Sequence, residues 1–387
     1  MRYTQLPIYL TKRNFPTMNM IRADAPAVWV LIFDRKPTSR ELDRLDLEST
    51  CFEQFLLQDV RSNAGPYDIF GGEPAFLELA NVMTVLGQNA CLVNMTTNAT
   101  DSPVMTHDDY QGMETSLRRS QMPLLSAYNP DLRDSTETEI TSHESALLEK
   151  AFSANLVWIE ARTSTLTQPL TAPIIILNSI YERLASYSAT NQKCPVLIVT
   201  FRSGNDFSVC EPLKCGISED SINVPLWIRP NLGHACRVQT LTGSFDLLPT
   251  IATFLRSAAA TEEVRPPDVP QISDLSDRKV ASTPLSSEPK SLAFLCGAPQ
   301  VCSNRVVELR GDVWRAARTD GFMLVVSDGT EPDCSQTESD GDSSKEPSRR
   351  LYVKPDDRFN VNDVSRTYAT VVEELSSVLQ SLEKQTC

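Results

Sequence analysis

The sequence predicts an α/β fold, with a mainly parallel sheet flanked by helices and then a small C-terminal antiparallel sheet and helix. Three observations carry this. Short apolar runs without polar alternation recur at 27–33 (AVWVLIF), 90–93, 156–159 (LVWI) and 196–200 (VLIVT), as in strands buried on both faces. Helical patterns separate them, and alternation of strand with helix gives a parallel sheet. Beyond residue 290 the helical spacing disappears, and short apolar runs joined by brief turns suggest an antiparallel sheet.

The first run begins after Pro26 and ends at Asp34, so polar groups emerge at its carboxyl end. Residues 76–86 have apolar side chains at 76, 77, 79, 80, 82, 83, 85 and 86, a helix closed by Gly87 as C-cap. Pro173 stands where a helix can start, and Ile176, Ile180 and Leu184 then repeat every four residues. The 196–200 strand runs into Phe201, Arg202, Ser203 and Gly204. A fifth strand is expected at 225–228 (PLWI), and a helix at 245–255 with Pro249 in its first turns. Residues 261–290 form a linker rich in Pro, Ser, Asp and Glu with little to bury. Strands are expected around 291–295, 305–309, 313–317 and 323–326. A second polar tract at 327–350 reads as a loop, and 364–382 reads as an amphipathic helix. The implied division is a core at 1–260, a linker at 261–290 and a C-terminal subdomain at 291–387.

Composition narrows function. Of the 387 residues, 36 are Lys or Arg and 50 are Asp or Glu, giving a net charge of −14. That charge repels phosphate backbones and anionic lipid headgroups, so neither nucleic acid nor membrane is expected as a partner. Pro (25) outnumbers Gly (14), and neither G-x-x-x-x-G-K-[ST] nor G-x-G-x-x-G occurs, which excludes the common nucleotide loops. The three His (His107, His143, His234) are isolated, and the ten Cys include no C-x-x-C. No cofactor or metal centre is expected from such spacing, and the cysteines read as reduced thiols. No apolar run approaches the ~20 residues that span a bilayer, so a cytoplasmic protein is expected.

Five stretches, in order, resemble the sulfatase branch of the alkaline phosphatase superfamily. Residues 26–34 (PAVWVLIFD) with 41–52 (ELDRLDLESTCF) are similar to the family's opening strand and its "NLDRLAAEGVRF". Residues 77–93 (LELANVMTVLGQNACLV) are similar to "LAEVLKEAGYRTALV". The helix at 176–187 and the strand at 196–204 are similar to the unit that ends in "VVFTSDHG". Residues 224–254 carry VPLWIRP, Cys-Arg-Val and then Ser-Phe-Asp-Leu-Leu-Pro-Thr, against "VPLIIRWPG", Arg-Val and "VDLLPTLLD". Residues 314–325 (WRAARTDGFMLV), with 351–364, are similar to "RAIRTDRYKLI … ELYDLENDP". The fourth is the most specific, because Asp246-Leu247-Leu248-Pro249-Thr250 follows the Val-Pro-Leu strand at the family's distance.

The resemblance implies ester hydrolysis. A divalent cation, basic side chains and a formylglycine or serine nucleophile in C/S-x-P/A-x-R meet the charge that develops on the sulfate. This chain departs from that pattern at each position. The nearest nucleophile match is Ser62-Asn63-Ala64-Gly65-Pro66, with Pro66 where the Arg belongs; Cys51 and Cys91 do not fit. The opening Asp pair is Asp34-Arg35. The Asp-His of the strand end is Arg202-Ser203. The Lys and His that would hold sulfate are replaced around Met95 and Thr97, and Glu160 follows the third strand where a His is expected. His234 lies in a loop that in the family brings a cation near the pocket.

Asp34, Arg35, Ser62, Met95, Thr97, Arg202, Ser203 and His234 thus mark a vestigial pocket. The expectation is a pseudoenzyme that retains the fold for binding or structural roles, with a protein or a small anion as partner. The alternative is an active sulfuric or phosphoric ester hydrolase with rearranged residues. Arg202, taking the cation's place, is expected to pair with Asp34.

Overall fold

The computed structural model describes residues 28–33, 45–61, 68–96, 124–128, 154–162, 194–202, 219–229, 236–259, 290–296, 305–327 and 348–386, without 47, 358 and 359, and with scattered positions in 177–185. The central sheet is built from β1 (Val28–Phe33), β2 (Thr50–Leu56), β3 (Ala90–Thr96), β4 (Leu124–Tyr128), β5 (Leu156–Arg162), β6 (Val196–Phe201), β7 (Asn223–Arg229), β8 (Cys236–Val238) and β9 (Thr242–Gly243). Their order is β4-β3-β5-β1-β6-β7-β2-β8, with β9 paired to β2. From β4 to β6 every pairing is parallel, whereas β7 runs antiparallel to both β6 and β2. The expected mainly parallel sheet is therefore present, with an antiparallel strand on one side.

β1 lies at the centre, and all six of its residues are at most 1% exposed. A strand covered on both faces has no solvent side on which to place polar residues, which is why VWVLIF reads as one apolar run. Helix α1 (Gly72–Leu86) covers one face. Its end is capped by Gly87 at φ 65, a left-handed conformation that Gly adopts without a Cβ penalty. Phe76, from α1, and Phe70, just before it, pack against Trp158 of β5, with ring centroids 5.7 and 5.6 Å away. The buried Leu177, Ile180, Tyr181 and Leu184 are helical, as their spacing predicts. After the short helix α2 (Glu219–Ile222), helix α3 (Leu247–Ala259) packs beside α1. Pro249 sits in the first turn of α3, where its missing N–H removes no intrahelical bond.

The second sheet is antiparallel, β10 (Val307–Arg310), β11 (Trp314–Arg318), β12 (Phe322–Ser327) and β13 (Ser348–Val353), in that order. Helix α4 (Ala369–Thr386) lays Leu375 and Leu379 on it. The fold class predicted from sequence is the one observed, with three local corrections. The expected strand at 291–295 is a single 3-10 turn at Ala293–Leu295. The Lys290 and Leu292 amides donate to Asp246 and to the Thr250 hydroxyl, so they are not free for a neighbouring strand. The polar tract at 327–350 is strand at both ends, where Ser327 pairs with Ser348; 328–347 lie outside the described residues. The last helix begins at Ala369, because the Val364 amide is held by the Leu351 carbonyl. Of the 261–290 linker only Lys290 is described.

The two sheets meet at Gln58. Its amide donates to the Glu308 carbonyl at 3.2 Å, and its side-chain oxygen accepts from the Phe245 amide at 3.0 Å. Gly243 makes this approach possible, since a Cβ there would lie 2.1 Å from that oxygen. Gly243→Ala is expected to cost about 1–3 kcal/mol of stability by overpacking. A thermal or denaturant midpoint equal to that of the parent chain would contradict this.

Candidate functional site at the strand carboxyl ends

Parallel pairing aligns the ends of four strands. Asn94 of β3, Glu160 of β5, Ile32 of β1 and Thr200 of β6 are in register, so the next residues along each strand share one rim of the sheet. Open α/β sheets place their sites beyond this rim. Arg202 follows β6 directly, and its amide donates to the Phe33 carbonyl at 2.8 Å, which fixes its backbone against the end of β1.

The Arg202 side chain reaches back across β1 to Glu160. Its Nη2 lies 3.0 and 2.9 Å from the two carboxylate oxygens. The side chains are 11% and 2% exposed. The Trp158 indole N–H, one strand repeat earlier on the same face of β5, donates to Glu160 Oε1 at 3.2 Å. Phe70 and Phe76 pack on that indole, so the aromatic cluster under α1 orients the donor that holds the carboxylate. Glu160 is thus a buried carboxylate met by a guanidinium and an indole, the arrangement in which a buried charge is tolerated.

Arg202 lies on the rim that its sequence position predicts. The carboxylate that it meets among the described residues is Glu160, while Asp34, its expected partner, lies outside them. Met95 is on β3, in register with Ala161. Arg35, Ser62, Thr97, Ser203 and His234 lie outside the described residues. Sequence reasoning notes Glu160 only as a replacement for a His; its pairing depends on β5 lying beside β1, which the strand order decides. The described donors do not fit a divalent cation, since the one described carboxylate of the rim faces a guanidinium. Among the described residues, no group of three or more His, Cys, Asp or Glu is placed to hold a metal ion. No helix among them is long and apolar enough to cross a membrane.

Two further buried charge clusters join the sheets. Asp246, from the Asp-Leu-Leu-Pro-Thr stretch, is fully buried. It accepts from the Gly243 and Lys290 amides, both at 2.8 Å, and from Arg305 Nη1 and Nη2 at 2.6 and 2.5 Å. Glu219, of α2, receives Arg318 at 3.0 Å and Lys354 at 2.8 Å. Burial alone would raise the Glu219 carboxyl, but the two cations outweigh it and hold it below its ordinary value. In both clusters the charged side chains are turned inward, where the two sheets meet.

No family profile matches this chain, and no curated protein sequence does. Solved structures do. A protein assigned as a sulfatase from Bacteroides thetaiotaomicron superposes with a TM-score of 0.58 at 10% identity, over 94% of this chain and 93% of that one. The fold is sulfatase-like. The phosphonate monoester hydrolase of Agrobacterium radiobacter matches at a TM-score of 0.53 and 10% identity, covering 94% and 96% of the two chains. A protein of the alkaline phosphatase superfamily from Vibrio parahaemolyticus matches at 0.50 and 10%, covering 92% and 89%. The sulfatase-like fold thus spans both sheets, consistent with the five stretches quoted above.

Proposed function

We propose that the chain is a sulfatase-like pseudoenzyme, which keeps the fold for binding or structural work and does not hydrolyse esters. The observation that carries this reading is the Glu160–Arg202 pair. Ester hydrolysis in this fold needs cationic stabilisation of charge that develops in the transition state. Here the guanidinium at the rim faces the Glu160 carboxylate, so much of its charge is compensated by the protein itself. The departures in sequence support the same reading: no intact nucleophile motif, Arg35 and Arg202 at positions where the resemblance implies carboxylates, and Ser203 where it implies a His.

A cytoplasmic location belongs to this proposal. So does the division into a core to residue 260 and a C-terminal subdomain from 291.

The test is turnover. The purified chain, supplied in turn with calcium, magnesium and manganese, is assayed on aryl sulfates and on aryl phosphonate monoesters. The expected rate equals the protein-free background, and Ser62→Ala leaves it unchanged. Turnover that follows the protein through purification and is lost in Ser62→Ala would replace this reading with that of an active hydrolase.

A further inference from the structure

We propose that the Asp320-Gly321 peptide bond, at the tip of the β11–β12 hairpin, is a site of isoaspartate formation, and that the conversion loosens the hold of the second sheet on Glu219. Asp-Gly occurs at 320–321, 328–329 and 340–341, and the first of these lies within the described residues. The reaction needs a side-chain carboxyl open to water, and a following amide nitrogen that is neither crowded by a side chain nor committed to a ladder bond. The turn supplies both. Asp320 is exposed. A Cβ placed on Gly321 would meet no atom within 4 Å, so nothing crowds the nitrogen. The bonds that close the turn run from the Thr319 amide to the Phe322 carbonyl at 2.8 Å and from the Phe322 amide to Thr319 Oγ1 at 3.1 Å, and they bypass the Asp320-Gly321 bond. Burial also raises the Asp320 carboxyl, against the lowering effects of Arg318 and the Leu241 amide, which enlarges the neutral fraction from which hydroxyl leaves as water.

The Gly321 nitrogen attacks Cγ of the neutral Asp320 carboxyl. A C–N bond forms, and the carboxyl hydroxyl leaves with the amide proton as water, giving a five-membered cyclic imide. Water then adds to one of the two imide carbonyls. Attack at Cγ restores aspartate. Attack at the backbone carbonyl leaves Gly321 joined through Cγ, with the α-carboxylate as the new side group. One water is lost and one regained, and no oxidant or cofactor enters.

The β-linked chain is one carbon longer at the turn. Turn geometry and loop length set the register of a hairpin, so the change falls on both strands. Arg318 is the last residue of β11, in register with Met323 of β12. The Gly321 carbonyl accepts from the Lys354 amide at 2.8 Å. The two cations that reach Glu219 are therefore both tied to this turn, one through the chain and one through a backbone hydrogen bond.

The experiment keeps the full native chain at body temperature and neutral pH for weeks. Digests are then sequenced by electron-transfer fragmentation, which places a β-linked aspartate by position. The expected product is a β-linked Asp320 of unchanged mass that grows with time, beside a minor form lighter by one water. In Gly321→Ala the added methyl enters open space, so the variant is expected to fold, and to convert at least several-fold more slowly because the methyl shields the nitrogen. The converted fraction, separated by chromatography, is expected to melt below the unconverted one. Conversion of Asp320 in denaturant but not in the native chain would overturn the proposal. So would equal rates in Gly321→Ala and the parent chain, or a converted fraction that melts with the unconverted one.

Discussion

Arg305→Met is expected to lower stability by about 3–5 kcal/mol, because it strips the main counter-charge from a carboxylate that water cannot reach. Asp246 is 0% exposed and Arg305 is 6% exposed, and the contact is a two-pronged one between guanidinium and carboxylate. The two backbone amides that remain on Asp246 are dipoles, not charges, and do not replace the cation. Arg305 immediately precedes the second sheet, whereas Asp246 opens the α3 region, so the loss should also loosen the docking of one sheet on the other. Denaturant unfolding of Arg305→Met, Asp246→Asn and the double variant checks this. Most of the loss should be recovered in the double variant, where no buried charge is left unpaired. A cost below about 1 kcal/mol for Arg305→Met would mean that the pair does not hold the fold.

Glu219→Gln is expected to cost a similar amount, about 3 kcal/mol or more, for the opposite reason: it removes the carboxylate that both buried cations reach. The Arg318 and Lys354 side chains are 1% and 0% exposed, and both reach Glu219. The cost should depend on pH. The Glu219 carboxyl is held below its ordinary value of 4.5 in the folded chain, so its stabilisation is complete above that value and is lost as pH falls through the folded pKa. Wild type should therefore lose more stability than Glu219→Gln on acidification, and the two curves should converge. Burial depresses the Lys354 ammonium, an effect partly offset by Glu219. Asp320, raised by burial, runs the other way, and an Asp320→Asn background removes its contribution. Parallel curves in that background would contradict the role given to Glu219.

The legibility of the fold follows from how local each cause is. β1 can be read because burial on both faces leaves only one composition possible, and α1 because its apolar spacing ends at a Gly that takes φ 65. Asp246-Leu247-Leu248-Pro249-Thr250 marks its place in the fold, yet its physical reason, Arg305, lies far along the chain and has no signal in the motif. β2 has none of the apolar continuity of β1: Glu53 and Gln54 interrupt it, and its register shifts between Phe52 and Phe55. The 3-10 turn at Ala293–Leu295 looks like a strand because SLAFL is apolar. Side chains of the α3 region, Asp246 and Thr250, decide otherwise by taking its amides.

The candidate site divides in the same way. Arg202 is found from sequence because it directly follows a buried strand. Glu160 is not found as its partner, since that requires knowing that β5, β1 and β6 are adjacent in that order. Trp158 is missed as well. A Trp in an apolar run reads as core, and only the pleat shows that its N–H faces the same side as Glu160.

The central claim is that Arg202 and Glu160 hold the rim of the sheet as a closed ion pair. A double-variant cycle tests this most directly, by denaturant unfolding of wild type, Arg202→Met, Glu160→Gln and the combined variant under one set of conditions. Arg202→Met should cost about 3–5 kcal/mol, since it removes the guanidinium that faces a carboxylate only 2% exposed. The combined variant should be clearly more stable than the sum of the two losses allows. Additivity within about 0.5 kcal/mol would show that the two side chains do not interact, and the account of the site would be wrong.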